Sequence, residues 1–157
     1  AIALAINMPC SAVTGIDISE PALDIARENA ALNKASVTFT RSDMLNSGIS
    51  ILPGTDIIVS NPPYVRESEK SRMEKNVLDF EPHSALFVPD AEPLKFYEAI
   101  LEIAQRILVM HGKIYFEINE ALGKEMSDML ASEGYSEIRV INDINGKERF
   151  VTGNKND

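Results

Sequence analysis

The β-branched run Thr55-Asp56-Ile57-Ile58-Val59-Ser60 enters Asn61-Pro62-Pro63-Tyr64 without a break, and this junction constrains the fold more than any other feature of the chain. A short apolar run of this kind predicts a buried strand. Two consecutive prolines then remove two backbone donors, so the strand stops there and its ladder cannot continue. An apolar strand that ends abruptly in a polar turn suits a parallel α/β sheet, whose ligands bind beyond the carboxyl ends of its strands.

The rest of the chain alternates in the way such a sheet requires. Ala1 to Ile6 reads as the end of a buried helix, and Ala12 to Asp17 as a strand closing on a carboxylate. Ser19 offers a helix cap and Pro21 a first-turn proline, with Leu23, Ala26 and Ala30 on one face of a helix to about Leu32. Val37 to Thr40 is the next strand, ending at Arg41-Ser42-Asp43. Val65 to Glu92 is polar and proline-punctuated, and predicts a long functional loop with a helical turn or two. Leu94, Tyr97, Leu101, Ala104 and Leu108 mark a long helix closed by His111-Gly112. Lys113 to Ile118 follows as a buried strand, and a helix from about Leu122 to Glu133 stops at Gly134. Glu137 to Asn142 and Lys147 to Thr152 flank Asn145-Gly146, a strong hairpin signal. Together these predict a doubly wound α/β sheet that closes with an antiparallel hairpin.

Length and composition narrow the classes. With 157 residues, 45% apolar and 25% charged, the chain suits one globular domain, expected over residues 1–152 with a polar tail at 153–157. The single cysteine, Cys10, cannot close an internal disulfide, which points to a reducing compartment such as the cytoplasm. Fifteen basic residues against 24 acidic give a net charge of −9. That field opposes nucleic acid, whose phosphates call for cations. The longest apolar run, Ala1 to Ile6, is too short to span a bilayer. The chain opens at Ala1 in mid-pattern and reads as a fragment of something longer or a processed product.

Three strand ends carry residues with chemistry. Asp17, followed by Ile18, stands where a carboxylate accepts from both hydroxyls of a nucleoside ribose; it reads equally as a cap for the following helix. Asp43 could accept from an exocyclic amine with Met44 on the ring face, or be a loop carboxylate beside a core methionine. Asn61-Pro62-Pro63-Tyr64 is more specific. The Asn61 side-chain oxygen and the Pro62 carbonyl form a rigid pair of acceptors for a planar NH2 group, and Tyr64 offers a face for stacking. The other reading is a tight turn packed by an aromatic ring.

Such a pair suits one kind of reaction. An amide or exocyclic amine nitrogen is a poor nucleophile because its lone pair is delocalised. Two acceptors that hold both N–H hydrogens favour a pyramidal nitrogen and free that lone pair as the transition state forms. The electrophile must be reactive already, as the methyl group of a sulfonium is. Neither His83 nor His111 is needed; they read as a loop residue and a helix cap.

These residues resemble the class I S-adenosylmethionine-dependent methyltransferases, and more narrowly the protein-(glutamine N5) methyltransferases that modify peptide chain release factors. The resemblance runs from Ala1 to about Val151. It is carried by Gly15 to Leu23, Arg27 to Ala30, Ser42-Asp43-Met44, Ile58 to Val65, Glu81-Pro82 with Ala85-Leu86, and Asp143, Gly146 and Arg149. It implies a Rossmann-like, mostly parallel sheet and S-adenosyl-L-methionine as cofactor, with no metal. By the same resemblance Asp17, Ile18, Asp43, Met44 and Asn61 face the cofactor, and Asn61, Pro62, Pro63 and Tyr64 form the catalytic turn, in which Asn61 and the Pro62 carbonyl hold the glutamine amide and Tyr64 packs beside it.

Two departures stand out. The family's first strand and Gly-rich loop would precede Ala1, and that strand would lie between those ending at Asp17 and Asn61. Glu117-Ile118-Asn119 has Asn where the family usually has Gly. The resemblance implies methylation of a glutamine in a protein, a peptide chain release factor; separately, the acidic charge argues against nucleic acid as the direct substrate. The other readings are methylation of an adenine N6 or guanine N2 amine, which present the same planar NH2, and a non-catalytic module that keeps the fold as a platform.

Overall fold

The computed structural model describes residues 1–46, 53–73 and 75–156. Although no linker marks the sequence and one domain is expected, the chain divides into two compact units, Ala1–Ile49 and Ser50–Asp157.

In the first unit, α1 (Ile2–Asn7) precedes β1 (Val13–Asp17), α2 (Glu20–Leu32) and β2 (Val37–Arg41). The helix expected at the start is present but not buried: Leu4 and Ile6 are both exposed. Its residues are apolar on nearly every side, so the exposure reflects a lack of covering neighbours within its unit rather than a polar face. Farther on, the Ser19 hydroxyl caps α2 by accepting from the Ala22 N–H at 3.3 Å, and Leu23 and Ala30 are the buried side of the helix. That face packs on β1 and β2, which pair in parallel from Val13↔Val37 to Asp17↔Arg41.

The second unit is built on a four-stranded sheet. β3 (Thr55–Ser60) pairs in parallel with β6 (Leu108–Glu117), β6 runs antiparallel to β8 (Glu148–Lys155), and β8 runs antiparallel to β7 (Tyr135–Asn142). In β6, Ile114 and Phe116 are buried while Lys113 is exposed and Tyr115 half-buried. One face therefore enters the core, rather than both as the apolar run suggests. α4 (Lys95–Ile107) contributes Tyr97, Ile100, Leu101 and Ala104 to that core, and α5 (Gly123–Ser132) contributes Met126 and Leu130.

Three expectations are corrected here. His111-Gly112 does not cap α4. The helix ends at Ile107 and Leu108 is already extended, paired with Thr55. Residues 109–112 loop out before the Ile57↔Lys113 pair resumes, with His111 at φ 62°. Gly112 is required in this bulge, because a Cβ there would lie 2.7 Å from Leu108 Cγ and 2.8 Å from the Val109 carbonyl oxygen.

Residues 153–155 are not a polar tail; they extend β8, where Gly153 pairs with Ile114 and Lys155 with Tyr135. The Lys155 ammonium donates to the Gln105 carbonyl at 2.8 Å and the Leu108 carbonyl at 3.0 Å, at the carboxyl end of α4 where a cation is favoured. Asp157 lies outside the described residues.

The segment 65–92 is more ordered than a loop. β4 (Val65–Arg66) and β5 (Phe87–Val88) pair in parallel, enclosing a 3-10 turn over Glu67–Arg72, α3 (Lys75–Phe80) and a second 3-10 turn over His83–Ala85. The β7–β8 hairpin turns as Asn145-Gly146 predicts. The Gly146 N–H donates to the Asp143 carbonyl at 3.0 Å, and Gly146 takes φ +79°, which glycine adopts without a Cβ penalty. No helix among the described residues is long and apolar enough to cross a membrane.

Candidate active site

β3 delivers its last residue, Ser60, opposite Phe116, and the chain then turns through Asn61-Pro62-Pro63-Tyr64. Pro62 is buried, Pro63 and Tyr64 are half-buried, and Asn61 is exposed. The Asn61 side chain makes no hydrogen bond to any described residue. The turn lines a cleft of about 240 Å³ whose apolar wall includes Met73, Val77 and Leu86 from the segment after it. Prolines leave this turn few backbone donors to satisfy, so its rigidity needs no competing use of the Asn61 amide.

Tyr64 is held at both ends. Its hydroxyl donates to Glu117 Oε1 at 2.8 Å, and its carbonyl accepts from Asn119 Nδ2 at 3.4 Å. Beneath it the Tyr97 hydroxyl donates to the Glu117 carbonyl at 2.8 Å, with its ring edge-on to Phe116 at 5.2 Å. Burial, and next the bond to Glu117, push the Tyr64 phenol above its ordinary value, while nearby Arg149 pulls the other way. Burial pushes the Tyr97 phenol up further. Both rings are therefore neutral at physiological pH; Tyr64 is a fixed surface rather than a base.

Asn119 is the one polar or charged residue that is buried among the described residues, at 7% exposure. Its Nδ2 also donates to Glu69 Oε2 at 2.9 Å, and its Oδ1 accepts from the Ala121 N–H at 3.0 Å. Glu69 in turn accepts from the Arg66 backbone N–H at 2.9 Å and from the Arg66 guanidinium at 3.2 Å. Burial pushes the Glu69 carboxyl up, but the Arg66 side chain and backbone, with Asn119, outweigh it and hold the carboxyl below its ordinary value.

In the first unit, the ends of β1 and β2 meet. The Ser42 N–H donates to the Asp17 carbonyl at 3.0 Å, and Arg41 Nε donates to the Ile18 carbonyl at 3.0 Å. Asp17 is exposed, and its Oδ1 accepts from the Ser19 N–H at 2.8 Å. That bond closes a tight turn just before the N-cap, Ser19, and so is not the helix cap offered as one of its two readings; it leaves Oδ2 without a partner among the described residues. Ile18 is exposed beside it. Asp43 uses both oxygens locally, accepting from the Leu45 N–H at 3.0 Å and Asn46 Nδ2 at 2.7 Å, and Met44 is half-buried. The structure thus gathers Asp17, Ile18 and the start of the Asp43 turn at one pair of strand ends, and Asn61 to Tyr64 around one cleft.

The histidines stand apart from that cleft. His83 lies edge-on to Phe87 at 5.4 Å, and His111 sits exposed in the β6 bulge. Glu117, Glu69 and Arg149 support Tyr64 and its surroundings, yet sequence reasoning assigns them no role. The available signal was position: Glu117 closes β6, another strand whose carboxyl end a parallel sheet directs toward ligand.

A family model described as methyltransferase small domain matches residues 1–79. The chain is 50% identical over 155 residues to a release factor glutamine methyltransferase of Bacteroides thetaiotaomicron, covering 99% of this chain and 56% of that protein. It is 45% identical over 154 residues to a release factor glutamine methyltransferase of Flavobacterium psychrophilum, covering 98% and 54%. The chain thus spans about half the length of the curated relatives it matches. Among solved structures, a methyltransferase from Pyrococcus furiosus aligns with a TM-score of 0.64 at 22% identity, over 93% of this chain and 64% of that one. TrmN from Thermus thermophilus aligns with a TM-score of 0.64 at 20% identity, over 98% and 40%. Those two likenesses are of fold alone, and they agree with the α/β architecture expected from the strand and helix pattern.

Proposed function

The chain belongs to the methyltransferase small domain family, and from that premise we propose that it is the catalytic portion of an S-adenosylmethionine-dependent enzyme that methylates a glutamine side-chain amide in a protein, a peptide chain release factor. The observation that carries this reading is the state of Asn61: exposed, without a hydrogen-bond partner among the described residues, and lining a cleft beside a rigid diproline. The names of the two curated relatives support the substrate.

Asn61 Oδ1 and the Pro62 carbonyl accept the two N–H hydrogens of the glutamine amide. Tyr64, fixed by Glu117, packs its neutral ring against the flat group and limits its rotation. Holding both hydrogens favours the pyramidal nitrogen of the transition state over the planar ground state, so the interaction lowers the barrier rather than merely binding substrate. The apolar wall of Met73, Val77 and Leu86 suits the methylene stem of a glutamine.

The donor set at the other pair of strand ends fits the cofactor. Asp17 keeps one carboxylate oxygen for ribose hydroxyls, and exposed Ile18 offers an apolar surface beside it. Asp43 and Met44 lie on the adjoining turn, although Asp43 already serves Leu45 and Asn46 and has only its remaining lone pairs for an adenine amine. S-adenosylmethionine, when bound, supplies a methyl group on a positively charged sulfur. The reaction belongs in the cytoplasm, a setting consistent with free Cys10.

The test is to incubate the full-length protein that carries this chain with labelled S-adenosylmethionine and either a release factor or RNA. Label recovered as N5-methylglutamine supports the reading. Label recovered in adenine or guanine would move the chain to the nucleic-acid class, and no binding of cofactor would make it a platform without chemistry.

A further inference from the structure

We propose that Asn119 is a positioning residue for the protein substrate, tying the wall of the cleft to the turn that carries Asn61. The inference rests on the reading of that cleft as the amide site. A buried side-chain amide must satisfy its polar atoms or carry the cost of desolvation. Asn119 does so by reaching across to the 64–69 segment with its amide nitrogen while its oxygen is satisfied two residues on. Nδ2 donates to the Tyr64 carbonyl and to Glu69, and Oδ1 accepts from the Ala121 N–H. A glycine at this place could form none of these with a side chain.

The bond to Glu69 is the consequential one. Glu69 lies in the 3-10 turn Glu67–Arg72, and Met73, the next residue after that turn, lines the cleft. Other contacts brace the wall on its Leu86 and Asp90 sides. The Val65 N–H donates to the Leu86 carbonyl at 3.0 Å, β4 pairs with β5, and the Ser68 N–H donates to Asp90 at 3.2 Å. Those contacts hold the Leu86 side of the wall to the chain just after Tyr64, but none of them joins the Glu69 side of the wall to the Asn61 turn. Asn119 contacts both, with a charge-assisted bond on the wall side. It touches neither the reacting amide nor its acceptors, so its effect falls on how the cleft admits a polypeptide.

The experiment uses the full-length protein with Asn119→Ala, Glu69→Ala, the double variant and Glu69→Gln. In Asn119→Ala we expect KM for the release factor to rise roughly tenfold with kcat within about threefold, the loss of one hydrogen bond to a charged group. Amide exchange over residues 65–73 quickens by a similar factor. Glu69→Ala reproduces both effects from the partly exposed side of the bond, the double variant adds little to either single change, and Glu69→Gln, which keeps an acceptor oxygen, recovers most of the loss. Unchanged exchange in both alanine variants overturns the proposal, as does a fall in kcat at unchanged KM. Should the wild-type protein methylate no release factor, the functional reading fails on its own, and the exchange measurement still decides whether Asn119 ties the wall.

Discussion

Tyr64 and Glu117, 53 positions apart in the chain, meet through a 2.8 Å hydrogen bond in which the phenol donates to a carboxylate oxygen. The contact joins the turn after β3 to the end of β6, neighbouring strands in the sheet. It converts a tyrosine that could swing over the cleft into a ring with one orientation. Tyr64→Phe keeps the ring and removes the tether. Methyl transfer by this variant should fall about tenfold, the scale of one bond to a charged acceptor, while Tyr64→Ala falls further. Steady-state kinetics on the two variants decide it; equal losses would mean that the hydroxyl, not the ring, is what matters.

Asn61→Ala removes one of the two acceptors. A preorganised contact of this kind is worth about 3 kcal/mol of barrier, so kcat should fall by about two orders of magnitude. Cofactor affinity, measured by calorimetric titration, should stay within a few-fold. Retained turnover would exclude the pair of acceptors as the source of the rate.

Asp17 carries two duties that substitution can separate. Asp17→Asn keeps a side-chain oxygen for the Ser19 N–H but loses the charge, whereas Asp17→Ala loses both. Both should weaken cofactor binding. Only the alanine variant should also lose about 1 kcal/mol of stability, the usual net value of one hydrogen bond. Titration calorimetry paired with thermal unfolding reads the two effects independently.

The Glu69 carboxyl is held below its ordinary value by Arg66 and Asn119 acting against burial. A depressed folded-state pKa means that Glu69 contributes stability above its unfolded-state value, about 4.3 for a free glutamate. That contribution is lost as the pH falls through the lower folded-state value. The stability difference between wild type and Glu69→Gln should therefore be constant near neutrality and shrink on acidification. Denaturant unfolding at a series of pH values tests this; a difference that grows on acidification contradicts the sign.

Much of this protein was legible before any coordinates. Proline chemistry ends β3 at Ser60, Ser19 and Pro21 start α2 where their backbone preferences dictate, and Asn145-Gly146 turns the closing hairpin. Each follows from local rules in which one or two residues restrict their own backbone. The stiffness of the Asn61–Tyr64 turn was legible for the same reason, since two consecutive prolines restrict their own backbone; that the Asn61 amide stays uncommitted depends on its surroundings.

What local rules could not decide was everything set by partners distant in sequence. The end of α4 at Ile107, rather than at His111-Gly112, depends on Leu108 pairing with Thr55. The extension of β8 through Lys155 depends on ladder partners in β6 and β7. Glu117 grips Tyr64, and Asn119 reaches both Tyr64 and Glu69, only because the sheet brings the ends of β3 and β6 side by side. Sequence alone determined where the backbone must stop and turn, because those costs are intrinsic to each residue. Tertiary structure decided which side chains share a hydrogen bond, because that depends on strand register rather than on any residue's own preference.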